Sequence, residues 1–297
     1  MKILVTGSEG MIGKELCELL EKQGHEVFRF DFKRIWGEPY TRDWVCYECG
    51  TEFKNKPIDV RDYELISEIF DHFKPEAVFH LFGIKGNPKM TKEKPLNFML
   101  PMIQGDSNII KICVERNIPI LYTSSIAVNF PESDKYPAWA KRTGEMLLEA
   151  SSIQHPEFKY VIVRPSNVYG RYDNFDNPNA MVVTSLISKA IKDKKLILDK
   201  KGAFQTRDLI NARDVARGMI EAFTLKSGSA VNLCSGKQVN INKLALLIKD
   251  NLNIDIEYTD LNLVLGPVSK GLDIDWNFLP EISLEDGIKE VCDFVRK

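Results

Sequence analysis

Tyr136 and Lys141, in DKYPAWAKRTGE (134–145), are a phenol and an ammonium close enough in sequence to share a proton-transfer task. A cation beside a phenol favours the phenolate, which makes tyrosine a usable base near neutral pH. On a helix such a pair should be four residues apart, because i and i+4 stack on one face. Tyr136 stands five before Lys141, about 140° away around a helix. The residue four before is Pro137, which has no proton to give. Proline suits the first helical turn, and it pushes the preceding residue toward extended backbone. The expectation is a helix that starts at Pro137, with Tyr136 just outside it, where the i+5 spacing is less prohibitive.

A second pattern, VTGSEGMIG, places Gly7, Gly10 and Gly13 between an N-terminal strand and the first helix, with Met11 and Ile12 among them. In a βαβ unit the three glycines give a tight turn, close approach of a pyrophosphate, and close packing of helix on sheet. Free N–H groups at the helix start favour an anion. The pattern points to a dinucleotide. Asp31 ends the second strand, FRFD, where an acid can accept the adenosine ribose hydroxyls and repel a 2′-phosphate; NAD(H) is favoured over NADP(H). Asp59 in IDVRD, followed by Val60, is a candidate for the adenine region; its alternative role is a helix N-cap or a loop acid.

These residues need an alternating framework, and the chain supplies one. KILVT, HEVFRFD, EAVFHLFG, IPILYTSS and KYVIVRPSNVYG read as strands, with helical patterns at 11–23, in DYELISEIFDHF, at about 100–116 and in PAWAKRTGEMLLEASS. Apolar strands alternating with helices imply a parallel sheet covered on both faces. The fold class is α/β, a Rossmann-type parallel sheet with helices on both faces and a smaller α/β region. The core of the first domain is expected over 1–170. Residues 171–297 supply mainly the second, with some segments returning to the first. The chain has 297 residues, 28% charged and 44% hydrophobic, with a net charge of −2. No basic track suggests nucleic acid, and no apolar run reaches the roughly 18 residues of a membrane span. A cytoplasmic protein is expected. Cys46 and Cys49 form half of a zinc pattern, short of the about four ligands that zinc needs.

With VTGSEGMIG, DVRD, FHLFG, YTSSIAV, KRTGE, RPSNVYG, TRDLINARDVA and VNLCSG in place, nearly the whole chain resembles the extended short-chain dehydrogenases/reductases, in their nucleotide-sugar epimerase/dehydratase branch. The resemblance implies NAD as hydride carrier, a nucleotide-diphosphate sugar as substrate held by the smaller, substrate-binding region, and a homodimer built on helices at about 100–116 and 137–152. It implies a cofactor wall from His80, Leu81, Phe82 and Gly83, with Lys85 in the following loop and with Pro165, Asn167 and Val168. Ser125 matches the catalytic hydroxyl, with Ser124 as the immediate alternative. Lys141 matches the lysine that holds the nicotinamide ribose, and Tyr136 is the nearest tyrosine. Substrate contacts are expected from Ser124, Ser125, Asn167, Asn179 and Arg207, whose guanidinium fork suits two phosphate oxygens.

The chain departs from two branches of that family. Dehydratases carry Asp-Glu after the catalytic hydroxyl residue, where Ile126 and Ala127 stand; neither transfers a proton. The branch making GDP-fucose uses a cysteine and a histidine, where Ala127 and Met181 stand. Chemistry at one carbon survives: a 4-epimerase that oxidises C4 transiently, or alternatively a 4-keto sugar reductase. A non-catalytic nucleotide-sugar or dinucleotide-binding protein is the remaining alternative.

Overall fold

The computed structural model describes residues 1–31, 41–45, 52–57, 59–84, 93–130, 135–176, 180–260 and 276–296. Its centre is a six-stranded sheet of β1 (Lys2–Thr6), β2 (Glu26–Phe30), β5 (Ala77–His80), β6 (Ile120–Thr123), β7 (Tyr160–Pro165) and β11 (Ser229–Leu233). Strands β3 (Thr41–Val45) and β4 (Glu52–Pro57) form a separate antiparallel pair. The order across the large sheet is β11-β7-β6-β5-β1-β2, and every pairing is parallel.

Side-chain alternation explains the two covered faces. Leu4, Val78, Ile120, Tyr122 and Ile162 point into one core, beneath helices α2 (Tyr63–Phe73), α3 (Pro95–Glu115) and α4 (Lys135–Gln154). Ile3, Val5, Phe79, Leu121 and Val163 point into the other, under α1 (Met11–Lys22) and α7 (Ala212–Ala222). The fully buried runs AVFH and ILYT are what a sheet covered on both faces requires. The chain crosses from one side of β1 to the other between β2 and β5, so β1 and β5 border the switch point. Ligands of open α/β sheets sit outside the strand C-termini at that point.

A third core joins α5 (Val182–Asp193), the short α6 (Lys200–Ala203), α8 (Ile241–Leu252) and α9 (Leu284–Val295) to the small strands β8 (Asn167–Tyr169), β9 (Lys195–Asp199) and β10 (Thr206–Asn211). β10 pairs with β8 and with β12 (Gln238–Asn240), and β9 pairs with β13 (Asp255–Thr259). Glu15 of α1, almost fully buried, accepts hydrogen bonds from Arg171 and Arg213 and fastens this region to the first helix.

One sequence expectation is corrected. Helix α4 already includes Lys135, the first described residue after 130, so it does not begin at Pro137, and Tyr136 lies inside it. The first four N–H groups of a helix have no intrahelical partner, so a proline in the first turn loses no bond and marks no boundary. Tyr136 and Lys141 therefore follow helical spacing and diverge by about 140°.

Candidate active site

The loop after β1 is built for close approach. Gly7 has φ +69°, a left-handed backbone that favours glycine, and a Cβ there would stand 2.9 Å from Leu81 O. A Cβ on Gly13 would stand 2.1 Å from Gly7 O. Gly10 is the N-cap of α1, and no side chain caps that end. The uncapped N–H groups over an open cradle fit a pyrophosphate. Met11 and Ile12 form the first turn, where Met11 touches the position a Gly170 Cβ would take. Asp31 accepts the Glu9 N–H at 2.6 Å, so the carboxylate predicted to read the ribose also ties the glycine loop to the end of β2. Asp31→Ala is expected to weaken NADH binding and to narrow its preference over NADPH. Titration of both dinucleotides checks this, and an unchanged ratio would remove Asp31 from the discrimination.

Asp59 does not cap α2. That role belongs to Asp62, which accepts the Leu65 N–H at 3.1 Å. Asp59 instead grips Arg61, accepting from both its backbone N–H and its guanidinium at 2.9 Å. Val60 is buried, and its carbonyl accepts from Asn108 Nδ2 at 3.0 Å. Lys85, Asn179, Cys46 and Cys49 lie outside the described residues. Among the described residues no cluster of three or more His, Cys, Asp or Glu could hold a metal, and no helix is long and apolar enough to cross a membrane.

At the C-terminal end of β5, Leu81 N–H and Phe82 N–H donate to Thr6 Oγ1 at 3.1 and 3.3 Å. With its lone pairs so used, the Thr6 hydroxyl donates to His80 Nδ1 (2.7 Å). His80 Nε2–H then donates to Asp106 Oδ1 (2.9 Å), which fixes the neutral tautomer. Tyr122 donates to the other oxygen of Asp106 at 2.5 Å. Lys141 Nζ lies 3.7 Å from that oxygen, donates to Phe82 O at 2.7 Å, and sits 4.8 Å from the Tyr122 ring centre. A Cβ on Gly83 would meet Lys141 Cε at 3.8 Å, so the lysine borders the loop predicted to line the cofactor. All of these polar side chains are buried.

Burial sets the charges. It opposes ionisation of Asp106, but Lys141, His80 and Tyr122 together hold its pKa below the usual carboxylate value. Burial depresses Lys141 while Asp106 pulls the other way, and it depresses His80 against the same carboxylate. Burial and Asp106 push Tyr122 well above a normal phenol, so it stays a donor. The electrically balanced state is Asp106 carboxylate, Lys141 ammonium and neutral His80. Asp106 and Tyr122 escaped the sequence reading of the site. The signal was present: Asp106 is a lone acid with Met102, Ile109, Ile110 and Cys113 at helical spacing around it, on the face that is buried.

Ser125 caps the short 3-10 helix Ile126–Asn129, accepting the Ala127 N–H at 3.2 Å. Ser124 is buried at the end of β6, near enough to Glu145 to support its charge but without a well-formed hydrogen bond. Burial opposes the Glu145 charge, yet Arg164 (2.8 Å through Nε and Nη2) and Arg142 (2.6 Å) hold the carboxyl ionised. Tyr122 packs so tightly on α4 that a Cβ on Gly144 would stand 2.2 Å from its hydroxyl. Tyr136 is partly exposed in the first turn of α4, with Lys135 Nζ 5.9 Å from its ring centre. The structure thus brings Lys141 to the Gly83 loop and leaves Tyr136 on another face of the helix.

Pro165, Asn167 and Val168 line the end of β7 and the start of β8. Asn167 Nδ2 donates to Asp208 O at 3.0 Å. Arg207, half-buried on β10, donates to Thr206 O (2.8 Å) and Gln205 Oε1 (3.2 Å). Burial works against its charge. Its neighbour Asp208 is fully buried and accepts from Ser166, Ser235 and Gly236.

Residues 3–234, more than half of the chain, match the model of the NAD dependent epimerase/dehydratase family. The chain belongs to this family. Its members of known description that resemble it include GDP-L-colitose synthase of Yersinia pseudotuberculosis, 23% identical over 99% of this chain and 97% of the relative. A putative UDP-glucose 4-epimerase of Methanocaldococcus jannaschii is 26% identical over 99% of this chain and 98% of the relative. The crystal structure of a Thermotoga maritima UDP-glucose 4-epimerase with UDP-glucose shares the fold, with TM-score 0.80, 21% identity and coverage of 100% of this chain and 99% of that one. The family is NAD-dependent, which agrees with the glycine cradle at the α1 N-terminus.

Proposed function

We propose that the chain is a nucleotide-sugar epimerase that acts by transient oxidation at C4. The observation that carries this reading is Lys141, held by the Phe82 carbonyl at the Gly83 loop, whose neighbour Leu81 packs against Gly7 of the glycine cradle. Bound NAD would supply the hydride acceptor and donor for this chemistry. Gly7, Gly10 and Gly13 bind its pyrophosphate, Asp31 its adenosine ribose, and Lys141 its nicotinamide ribose. Ser125, with Ser124 behind it, orients the C4 oxygen. Ile126 and Ala127 supply no acid for dehydration, and Ala127 and Met181 no pair for a double epimerisation, so the reaction stays at one carbon. Support also comes from the relatives, among which are enzymes described as 4-epimerases. Incubation with NAD and UDP-, GDP-, dTDP- or CDP-sugars deuterated at C4 tests it. An epimer that keeps its label is expected. Stoichiometric NADH consumption with a 4-keto sugar would instead identify a reductase.

The reacting proton in this reading needs an acid–base group near Ser125, and Tyr136 is the tyrosine nearest to Lys141 in sequence, although the helix turns it about 140° away from that lysine. General acid–base groups contribute about 10²–10⁴-fold. Tyr136→Phe is expected to lower kcat by about that factor while both ligands still bind. Full activity would place proton transfer on another group. The helical position of Tyr136 and the proline four before Lys141 favour one second reading, a binding protein without turnover. Saturable sugar binding with no hydride transfer across the whole substrate set would establish it.

Arg207 holds the substrate diphosphate. Arg207→Ala is expected to weaken nucleotide-sugar binding by roughly 1.5–3 kcal/mol, the worth of a charged hydrogen bond, and to spare NADH. Calorimetric titration checks both, and an unchanged sugar affinity would remove Arg207 from the site. Exposed Leu96, Leu100, Trp139, Met146 and Ile153 on α3 and α4 suit a homodimer through these helices, which a sedimentation mass would decide.

A further inference from the structure

Lys141 is buried, and a buried ammonium requires a counter-charge. Among the described residues one carboxylate lies within 4 Å of it, that of Asp106 at 3.7 Å. Glu145, one turn along the same helix, is taken by Arg164 and Arg142. Asp106 cannot swing away, because His80 from β5 and Tyr122 from β6 each donate to one of its oxygens. His80 is held in turn by Thr6, the hydroxyl that also receives the Leu81 and Phe82 N–H groups. Four hydrogen bonds and one ion pair close a ring: Thr6 to His80, to Asp106, across the ion pair to Lys141, to the Phe82 carbonyl, and back through the Phe82 N–H to Thr6. The ring spans β1, β5, α3 and α4 and includes the loop at the cofactor cleft.

We propose that Asp106 is a positioning residue for the cofactor, its carboxylate keeping Lys141 as an ammonium pinned against the Phe82 carbonyl. Asp106 acts only through Lys141. The inference rests on the reading in which Lys141 meets the nicotinamide ribose. The groups that face Lys141 are His80, Asp106 and Tyr122, and two of them are fixed uncharged: His80 by its tautomer and burial, Tyr122 by its place beside Asp106. Removal of the Asp106 charge therefore leaves burial as the dominant influence on Lys141, and the lysine loses its proton at lower pH.

The test is NADH affinity, read by fluorescence from about pH 6.5 to 9, a range chosen to lie below the ordinary lysine pKa. Wild-type affinity is expected to stay flat. Asp106→Asn, nearly the same shape without the charge, is expected to lose NADH affinity at a lower pH than the wild type does, and so to bind more weakly at the alkaline end of the range than at the acid end. In a Lys141→Gln background the same substitution should add no pH dependence. A flat Asp106→Asn profile, or an equal effect in both backgrounds, overturns the role of Asp106 alone. Lys141→Gln with wild-type affinity overturns the cofactor reading of Lys141, and the inference with it. Should Asp106→Asn fail to fold, the ¹⁵N-lysine NMR spectrum of the wild-type protein decides. An ammonium signal from Lys141 at alkaline pH is expected, and a neutral amine overturns the proposal.

Discussion

Lys141→Met should lower the unfolding free energy by about 3–5 kcal/mol, the cost of leaving one partner of a buried ion pair uncompensated. Methionine fills the volume of the lysine stem, so little of the loss comes from a cavity. The cost arises at Asp106, which is fully buried and faces Lys141 as its counter-ion. The sign with pH follows. Lys141 is the largest of the influences that oppose burial at Asp106, so without it the Asp106 pKa moves up, and the loss relative to wild type shrinks as pH falls and the carboxyl protonates. Lys141→Met with Asp106→Asn should recover much of the loss at neutral pH, because no charge is then left unpaired. Urea unfolding of the wild type, both single variants and the double variant gives the cycle. Additive losses would show that the two side chains are not coupled.

Gly13→Ala is the second large effect. The added Cβ would lie 2.1 Å from Gly7 O, 2.7 Å from Ser8 Cα and 2.8 Å from Ser8 C. Every obstacle is backbone, so no side chain can rotate away. Either α1 leaves the sheet or the loop after β1 deforms, and that loop carries the N–H groups proposed to bind the pyrophosphate. Overpacking of this kind costs about 1–3 kcal/mol, and NADH binding should be lost with it. Gly10→Ala is the comparison: its Cβ meets only Gly7 O, at 3.1 Å, and its effect on the melting temperature should be smaller. Equal melting temperatures for the two variants would contradict the contact geometry.

The α/β framework was legible because it is written in short periods. KILVT alternates Ile3 and Val5 on one face with Leu4 on the other, and helices of matching period cover both. The glycine loop was legible because its spacing is local. The start of α4 was misread for an equally local reason: Pro137 costs a helix nothing where N–H groups are already unpaired. Asp106 was not legible, since its partners His80, Tyr122 and Lys141 stand far from it in sequence and meet only when β5, β6, α3 and α4 assemble. A lone acid among apolar helix positions signals burial, but it does not name the cation that justifies it.

Gly144 has a consequence for how this sequence can change over time. Its missing side chain makes room for the Tyr122 ring, with the ring carbon Cζ, at 2.5 Å, as well as the hydroxyl inside the distance a Cβ can tolerate. Phenylalanine at 122 would leave the obstruction in place, so no single conservative exchange opens a route to alanine at 144. A residue small enough to admit it would strip Asp106 of its phenol donor. Positions 106, 122 and 144, on α3, β6 and α4, are therefore expected to drift together among descendants of this chain or not at all.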